Sequence, residues 1–169
     1  MPKIIENLRE KLVREAQYQV EERGYSALTI RSVANACGVG VGTVYNYFAS
    51  KDALVAAFML EDWQKCMDAV TFAGQQAQSP QPVLECMHTQ LRQFTLQYQS
   101  IFADKAALAS FSGSPSPYHS LLRSQMAQPL RAFTTDDFTA EFIAEALLTW
   151  TVAGEGFDEI YQVIRKILN

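Results

Sequence analysis

Cysteine is scarce in this chain. The 169 residues include three, Cys37, Cys66 and Cys86, far apart and without a CxxC pair. An odd, scattered set argues against a disulfide framework and suits a reducing cytosol, so a cytoplasmic location is expected. Long apolar runs are also missing. The longest, Ala53 to Leu60, lies between Lys51-Asp52 and Glu61-Asp62, far short of the roughly 20 residues a membrane span requires. The first residues, Met1 to Leu12, are rich in charge and hold no apolar signal core. No membrane partner is expected. Histidine is limited to His88 and His119, neither in a metal-ligand spacing. Cys86 and His88, at i and i+2 of a helix, point to different sides. No glycine-rich phosphate loop opens a helix carrying lysine, and no strand precedes Gly113-Ser-Pro-Ser116 to make a nucleophile elbow. Catalytic residues, a metal and a cofactor are therefore not expected, and the enzyme class is set aside.

Strand signals are lacking as well: there is no hairpin dipeptide and no sustained period-two alternation. Helical ones dominate, and the expected fold class is all-α. Leu8, Leu12, Ala16 and Val20 recur every fourth residue with charges on the other face, and Gly24 stops this first helix. Thr29 caps a second, Ile30 to Ala36, which Gly38 breaks. A third is expected from Val41 to Phe48. Ser50 caps a fourth, with Asp52 in its first turn. No proline occurs between Lys3 and Ser79, so the fourth helix is expected to run to about Gln78, where Pro80 and Pro82 force a break. Further helices are expected over Val83 to Phe102, Tyr118 to Phe133, from the Thr134–Asp137 caps to near Gly154, and over Phe157 to Leu168. Ser112-Gly-Ser-Pro-Ser-Pro117 reads as a loop.

The net charge of −4 hides an asymmetry: residues 1–52 carry seven basic and six acidic side chains, the remainder seven and twelve. The two parts therefore face different partners.

The informative segment is Ile30 to Phe48. Two short helices joined by a tight turn cross steeply and touch. Ala34 supplies the small residue at the crossing, Gly38 tolerates the turn, and Val44 is the β-branched plug facing back. Ile30, Val33, Val39, Val44 and Phe48 would form a small core. This is a helix-turn-helix with the spacing of DNA-binding versions. Val44, Tyr47 and Phe48 share one face of the third helix, at i, i+3 and i+4, which leaves Gly42, Thr43 and Asn46 pointing outward. Gly42 allows close approach to the groove, the Thr43 methyl can meet a thymine methyl, and Asn46 can pair with adenine N6 and N7. Val41 adds apolar contact, and the Tyr45 hydroxyl reaches phosphate. Lys51 and the Thr29 amide would hold phosphates on either side. The exposed face of the third helix has no arginine or lysine, so affinity leans on the first helix, Arg31 and Lys51.

The string Gly24-Tyr25, Leu28-Thr29-Ile30, Val33-Ala34, Cys37-Gly38-Val39, Gly42-Thr43-Val44-Tyr45-Asn46-Tyr47-Phe48 and Lys51-Asp52-Ala53-Leu54 resembles the amino-terminal domain of TetR-type transcriptional regulators, over about Arg9 to Phe58. The resemblance implies a domain over 1–50 that reads a palindromic double-stranded operator as a homodimer. It implies phosphate contacts from Thr29, Tyr45 and Lys51, and base or groove contacts from Gly42, Thr43, Asn46 and Tyr47. Gly40 stands where the family usually places serine or another cap.

For residues 51–169 the resemblance implies a helical domain for ligand sensing and dimerisation. Its aromatic and methionine residues include Phe72 and Phe102. Candidates for a pocket that takes a small apolar or amphipathic effector are Trp63, Met67, Met87, Leu91 and Phe94. Tyr98, Phe111, Tyr118, Leu122 and Met126 complete that set. The last two helices carry apolar faces suited to a four-helix interface with their symmetry mates: Phe142, Ala146 and Trp150 on one, Phe157, Ile160, Tyr161 and Ile164 on the other. The expected function is a ligand-released repressor. The alternative is a helix-turn-helix relative that regulates through a protein partner, without specific DNA binding.

Overall fold

The computed structural model describes residues 7–107 and 117–168, without the side chains of 117 and 118. Every regular element among the described residues is helical. The chain divides into two compact units, one of residues 1–62 and 100–110, the other of 63–99 and 111–169.

In the first unit, α1 (Leu8–Arg23) buries Leu8, Leu12, Val13, Ala16 and Val20 along one stripe. Gly24 ends it at φ 80°, where a side chain would be strained. A 3-10 turn over Tyr25–Ala27 leads to α2 (Ile30–Cys37), capped by Thr29. The Thr29 hydroxyl accepts from the Ser32 amide while the Ser32 hydroxyl accepts from the Thr29 amide, a reciprocal box that fixes where the helix starts. Gly38 closes α2 at φ 69°. Next, α3 covers Val41–Tyr45, shorter than the expected Val41 to Phe48. The amides of Tyr47 and Phe48 both bond back to the Val44 carbonyl at 3.0 Å, so the chain tightens into a turn one residue after Tyr45. The Ser50 hydroxyl then caps α4 (Lys51–Gln76), accepting from the Ala53 amide at 3.0 Å. Residues 51–62 of α4 belong to the first unit and 63–76 to the second.

The second unit continues with α5 (Pro80–Gln97). The expected break falls at residues 77–79, between α4 and α5, but α5 starts at Pro80 rather than at the expected Val83. Pro80 and Pro82 sit in its first turn, where a missing amide costs nothing and the fixed φ suits the helix. Tyr98 interrupts the expected Val83 to Phe102 helix, and a short α6 (Gln99–Ala103) follows, of which residues 100–103 belong to the first unit. The expected loop at 112–117 and Phe111 fall outside the described residues, apart from the backbone of Pro117. There follow α7 (Pro117–Leu130) with a 3-10 turn over Arg131–Phe133, α8 (Asp137–Val152) and α9 (Phe157–Leu168). The Asp136 carboxylate caps α8 by accepting from the Thr139 amide at 2.8 Å. Those hydrogen bonds, the backbone one first, hold its pKa below the ordinary aspartate value. The core of this unit is α8: Ala140, Ile143, Ala144 and Leu147 are fully buried, with α7 and α5 packed against it and α9 against both α8 and α5. Small residues at 140 and 144 let the neighbouring backbones come close. The buried His88 of α5 contacts the Glu155 carbonyl, in the α8–α9 turn, through Nε2 at 3.1 Å. Its ring lies 5.7 Å from that of Phe157.

Candidate nucleic-acid interface

The crossing of α2 and α3 is built as the residue types demand. Val33, Ala34 and Val44 are wholly inaccessible, and Phe48 and Ile30 nearly so; Val39 is half-buried. Ala34 lets the turn fold back, its carbonyl accepting from the Val39 amide at 2.9 Å. Gly40 caps α3 with backbone alone: its carbonyl accepts from the Thr43 amide at 2.9 Å, and it has no hydroxyl to give a second bond.

With Val44 facing in, the opposite side of α3 faces out. Gly42, Tyr45, Asn46 and Tyr47 are exposed, while Val41 and Thr43 are half-exposed. A Cβ built at Gly42 would meet nothing within 4 Å. The protein's own packing therefore does not require glycine there. Among the described residues, no hydrogen bond engages the side chains of Thr43, Tyr45, Asn46 or Tyr47. Arg31 is exposed on the first turn of α2.

Two of the three expected phosphate anchors, Thr29 and Lys51, have internal partners. The Thr29 amide donates to the Ser32 hydroxyl at 3.2 Å. The Lys51 ammonium donates to the Tyr25 carbonyl at 2.9 Å and stands 3.8 Å from the centre of the Tyr25 ring. The Tyr25 hydroxyl in turn bonds the Asp52 carboxylate. An ammonium has three donors, so Lys51 keeps capacity for a phosphate. Sequence reasoning missed Arg9. Its guanidinium lies 5.5 Å from the centre of the Phe48 ring and 2.9 Å from Glu61, linking α1 to the turn after α3 and to α4. Cys37 is partly buried against the Lys11 carbonyl, and burial first, then Glu15, pushes its thiol pKa up. That makes it a poor nucleophile.

In the second unit, Trp63, Met67, Met87, Leu91 and Met126 surround a gap of about 10 Å3, together with Cys66, Val70 and Gln90. That is room for about one water. The Trp63 indole N–H donates to Gln125 at 2.6 Å. Phe94 packs edge-on against Trp63 at 5.6 Å and Tyr98 against Phe94 at 4.8 Å. Both are buried, but neither lines the gap. Leu122 is half-buried, and the Tyr118 side chain lies outside the described residues. Phe72 stands at the surface of the second unit and Phe102 at that of the first. On the last two helices, Phe142 and Trp150 are half-exposed, and Ala146, Phe157 and Tyr161 are partly covered. Contrary to their expected place at an interface, Ile160 and Ile164 turn into the core of their own unit, leaving Val163 and Ile167 on the outer face of α9. Phe138, 77% exposed, extends the outer face of α8.

Residues 12–58 match the family model described as "Bacterial regulatory proteins, tetR family". The HTH-type transcriptional regulator UidR of Escherichia coli (strain K12) is 27% identical over 59 residues, which cover 35% of this chain and 30% of that protein. The matched stretch is thus under a third of that relative's length. Two solved structures share the fold over nearly the whole chain. Thermus thermophilus FadR, a TetR-family transcriptional repressor in complex with lauroyl-CoA, is 21% identical, with a TM-score of 0.66 over 95% of this chain and 92% of that one. The TetR-family repressor AlkX from Dietzia sp. is 16% identical, with a TM-score of 0.67 over 94% and 98%.

Proposed function

We propose that this chain, whose residues 12–58 match the TetR-family model, is a cytoplasmic DNA-binding transcriptional regulator. In this reading it is a repressor that binds a palindromic operator as a homodimer and leaves it when a small apolar or amphipathic effector binds. One observation carries the reading. The outer face of α3 is exposed and uncommitted, while Ala34, Val44 and Phe48 clamp its inner face. Gly42, Thr43, Asn46, Tyr47 and Val41 contact bases or the groove floor, and Arg31, Tyr45, Lys51 and Thr29, the last through its hydroxyl since its amide is taken by Ser32, contact phosphates.

The dimer is assigned to the outer faces of α8 and α9. Phe138, Phe142, Trp150, Val163 and Ile167 give that surface an apolar character that a second copy would cover. The effector is assigned to the gap beside Trp63 and Met67, whose methionines can repack around an apolar guest. The acyl-CoA held by the Thermus relative is one example of such chemistry. Trp63 and Met67 lie on the same uninterrupted helix as Lys51. A guest that displaces α4 would change the spacing of the two recognition helices, which must match a helical repeat of about 34 Å or a multiple.

A gel-shift against genomic fragments tests the reading. The regulator gives a saturable shift that weakens steeply with salt. A helix-turn-helix relative acting through a protein partner, a reading that the uncharged α3 face favours, gives no shift at physiological salt.

A further inference from the structure

We propose that the base pairs lying under α3 are A·T pairs; the inference rests on the DNA-binding reading above and names what that site selects. In the major groove guanine offers two acceptors, met best by arginine or lysine, and cytosine offers a donor, met by a carboxylate. Neither charge type occurs between Ile30 and Lys51 except Arg31, which lies on α2. Lys51 is turned toward the Tyr25 carbonyl and ring.

What α3 and its following turn do present suits the other pair. The Asn46 side chain is exposed and unengaged among the described residues. Its carboxamide offers one acceptor and one donor side by side, the complement of adenine N6 and N7. The methyl groups of Thr43 and Val41, both half-exposed, match the thymine C5 methyl. The exposed hydroxyls of Tyr45 and Tyr47 both donate and accept, so they do not discriminate. The empty space over Gly42 lets the backbone come near enough for these short side chains to reach the bases. Attraction from Arg31 and Lys51 is to phosphate and carries no sequence preference.

The test is selection from a random duplex pool by the full chain at low salt, repeated with Asn46→Ala and Thr43→Ser. The proposal expects a site in which the position whose preference vanishes in Asn46→Ala is adenine. Replacing that base by 7-deazaadenine should weaken wild-type binding roughly tenfold, with little further effect on Asn46→Ala. Uracil in place of a core thymine should weaken the wild type more than Thr43→Ser. Guanine or cytosine at the Asn46-dependent position overturns the inference and leaves DNA binding standing. A wild-type site whose preferences survive Asn46→Ala unchanged, or that ignores both base analogues, also overturns it. No enriched sequence with the wild type overturns this inference and the operator-binding reading together. Residual low-salt binding of random DNA by each variant reports that it is folded.

Discussion

The Lys51 ammonium stands 3.8 Å from the centre of the Tyr25 ring and 2.9 Å from the carbonyl oxygen of the same residue. One side chain thus fastens the start of α4 to the turn between α1 and α2. Lys51→Ala should lower stability by about 1 kcal/mol, the size of a modest cation–π and hydrogen-bond pair. It should also weaken binding to all duplexes alike and reduce the salt slope by about one unit. Urea unfolding and salt titrations measure the two effects. A selective loss on one DNA sequence would contradict the phosphate role.

Gly42→Ala should separate stability from function. Among the described residues nothing opposes a methyl there, and alanine favours a helix by roughly 0.5–1 kcal/mol over glycine. The variant should unfold at higher denaturant yet bind operator more weakly, because the methyl occupies space needed at the groove. Unchanged affinity would place Gly42 away from the DNA.

Phe142→Glu combined with Trp150→Glu should yield a monomer, with the helical content of the wild type. Both side chains are half-exposed on α8, so their loss does not open the subunit core, while two added carboxylates per copy repel across an isologous interface. Sedimentation would show the mass halved and operator affinity would collapse. A persisting dimer would move the interface elsewhere.

Acid should loosen α8. The hydrogen bonds to Asp136, chiefly from the Thr139 amide, lower its pKa in the folded chain. A depressed aspartate contributes stability that is complete above its unfolded pKa of about 3.9. That contribution disappears as pH falls through the lower folded value. Asp136→Ala should therefore melt earlier than the wild type at neutral pH, and the gap should narrow as the pH falls below the unfolded value. A gap independent of pH would exclude the carboxylate as its cause.

The first unit was legible where its signals are local. Gly24, Thr29, Gly38 and Ser50 act within one turn of themselves, and the long α4 followed from an absence of proline. Spacing put Val44, Tyr47 and Phe48 on one face of α3; Val44 and Phe48 are buried, but Tyr47 is exposed because α3 ends at Tyr45 and the following turn no longer keeps the helical register. Local chemistry located the break ahead of Pro80 but not the start of α5, because the same residue that breaks a helix interior is tolerated in a first turn, and the helix begins at Pro80 rather than Val83. Tyr45 ends α3 before Phe48 because the turn bonds back to the Val44 carbonyl, and no residue type announces that. Contacts across long sequence intervals, such as Lys51 with Tyr25 and Arg9 with Phe48, leave no periodic trace. On α9 two apolar rows coexist, and only the packing on α5 and α8 decides that Ile160 and Ile164 face inward while Val163 and Ile167 face out.

His88 grips the bend between α8 and α9 from α5, and α5 also supplies Met87 and Leu91 to the small gap beside Trp63. In the effector reading proposed above, a guest too large for that gap would push on a rod whose other side is hooked to the hairpin. The bulk of the cargo would then be translated into travel of the bend, so a chemical series graded by size should produce a graded mechanical response there.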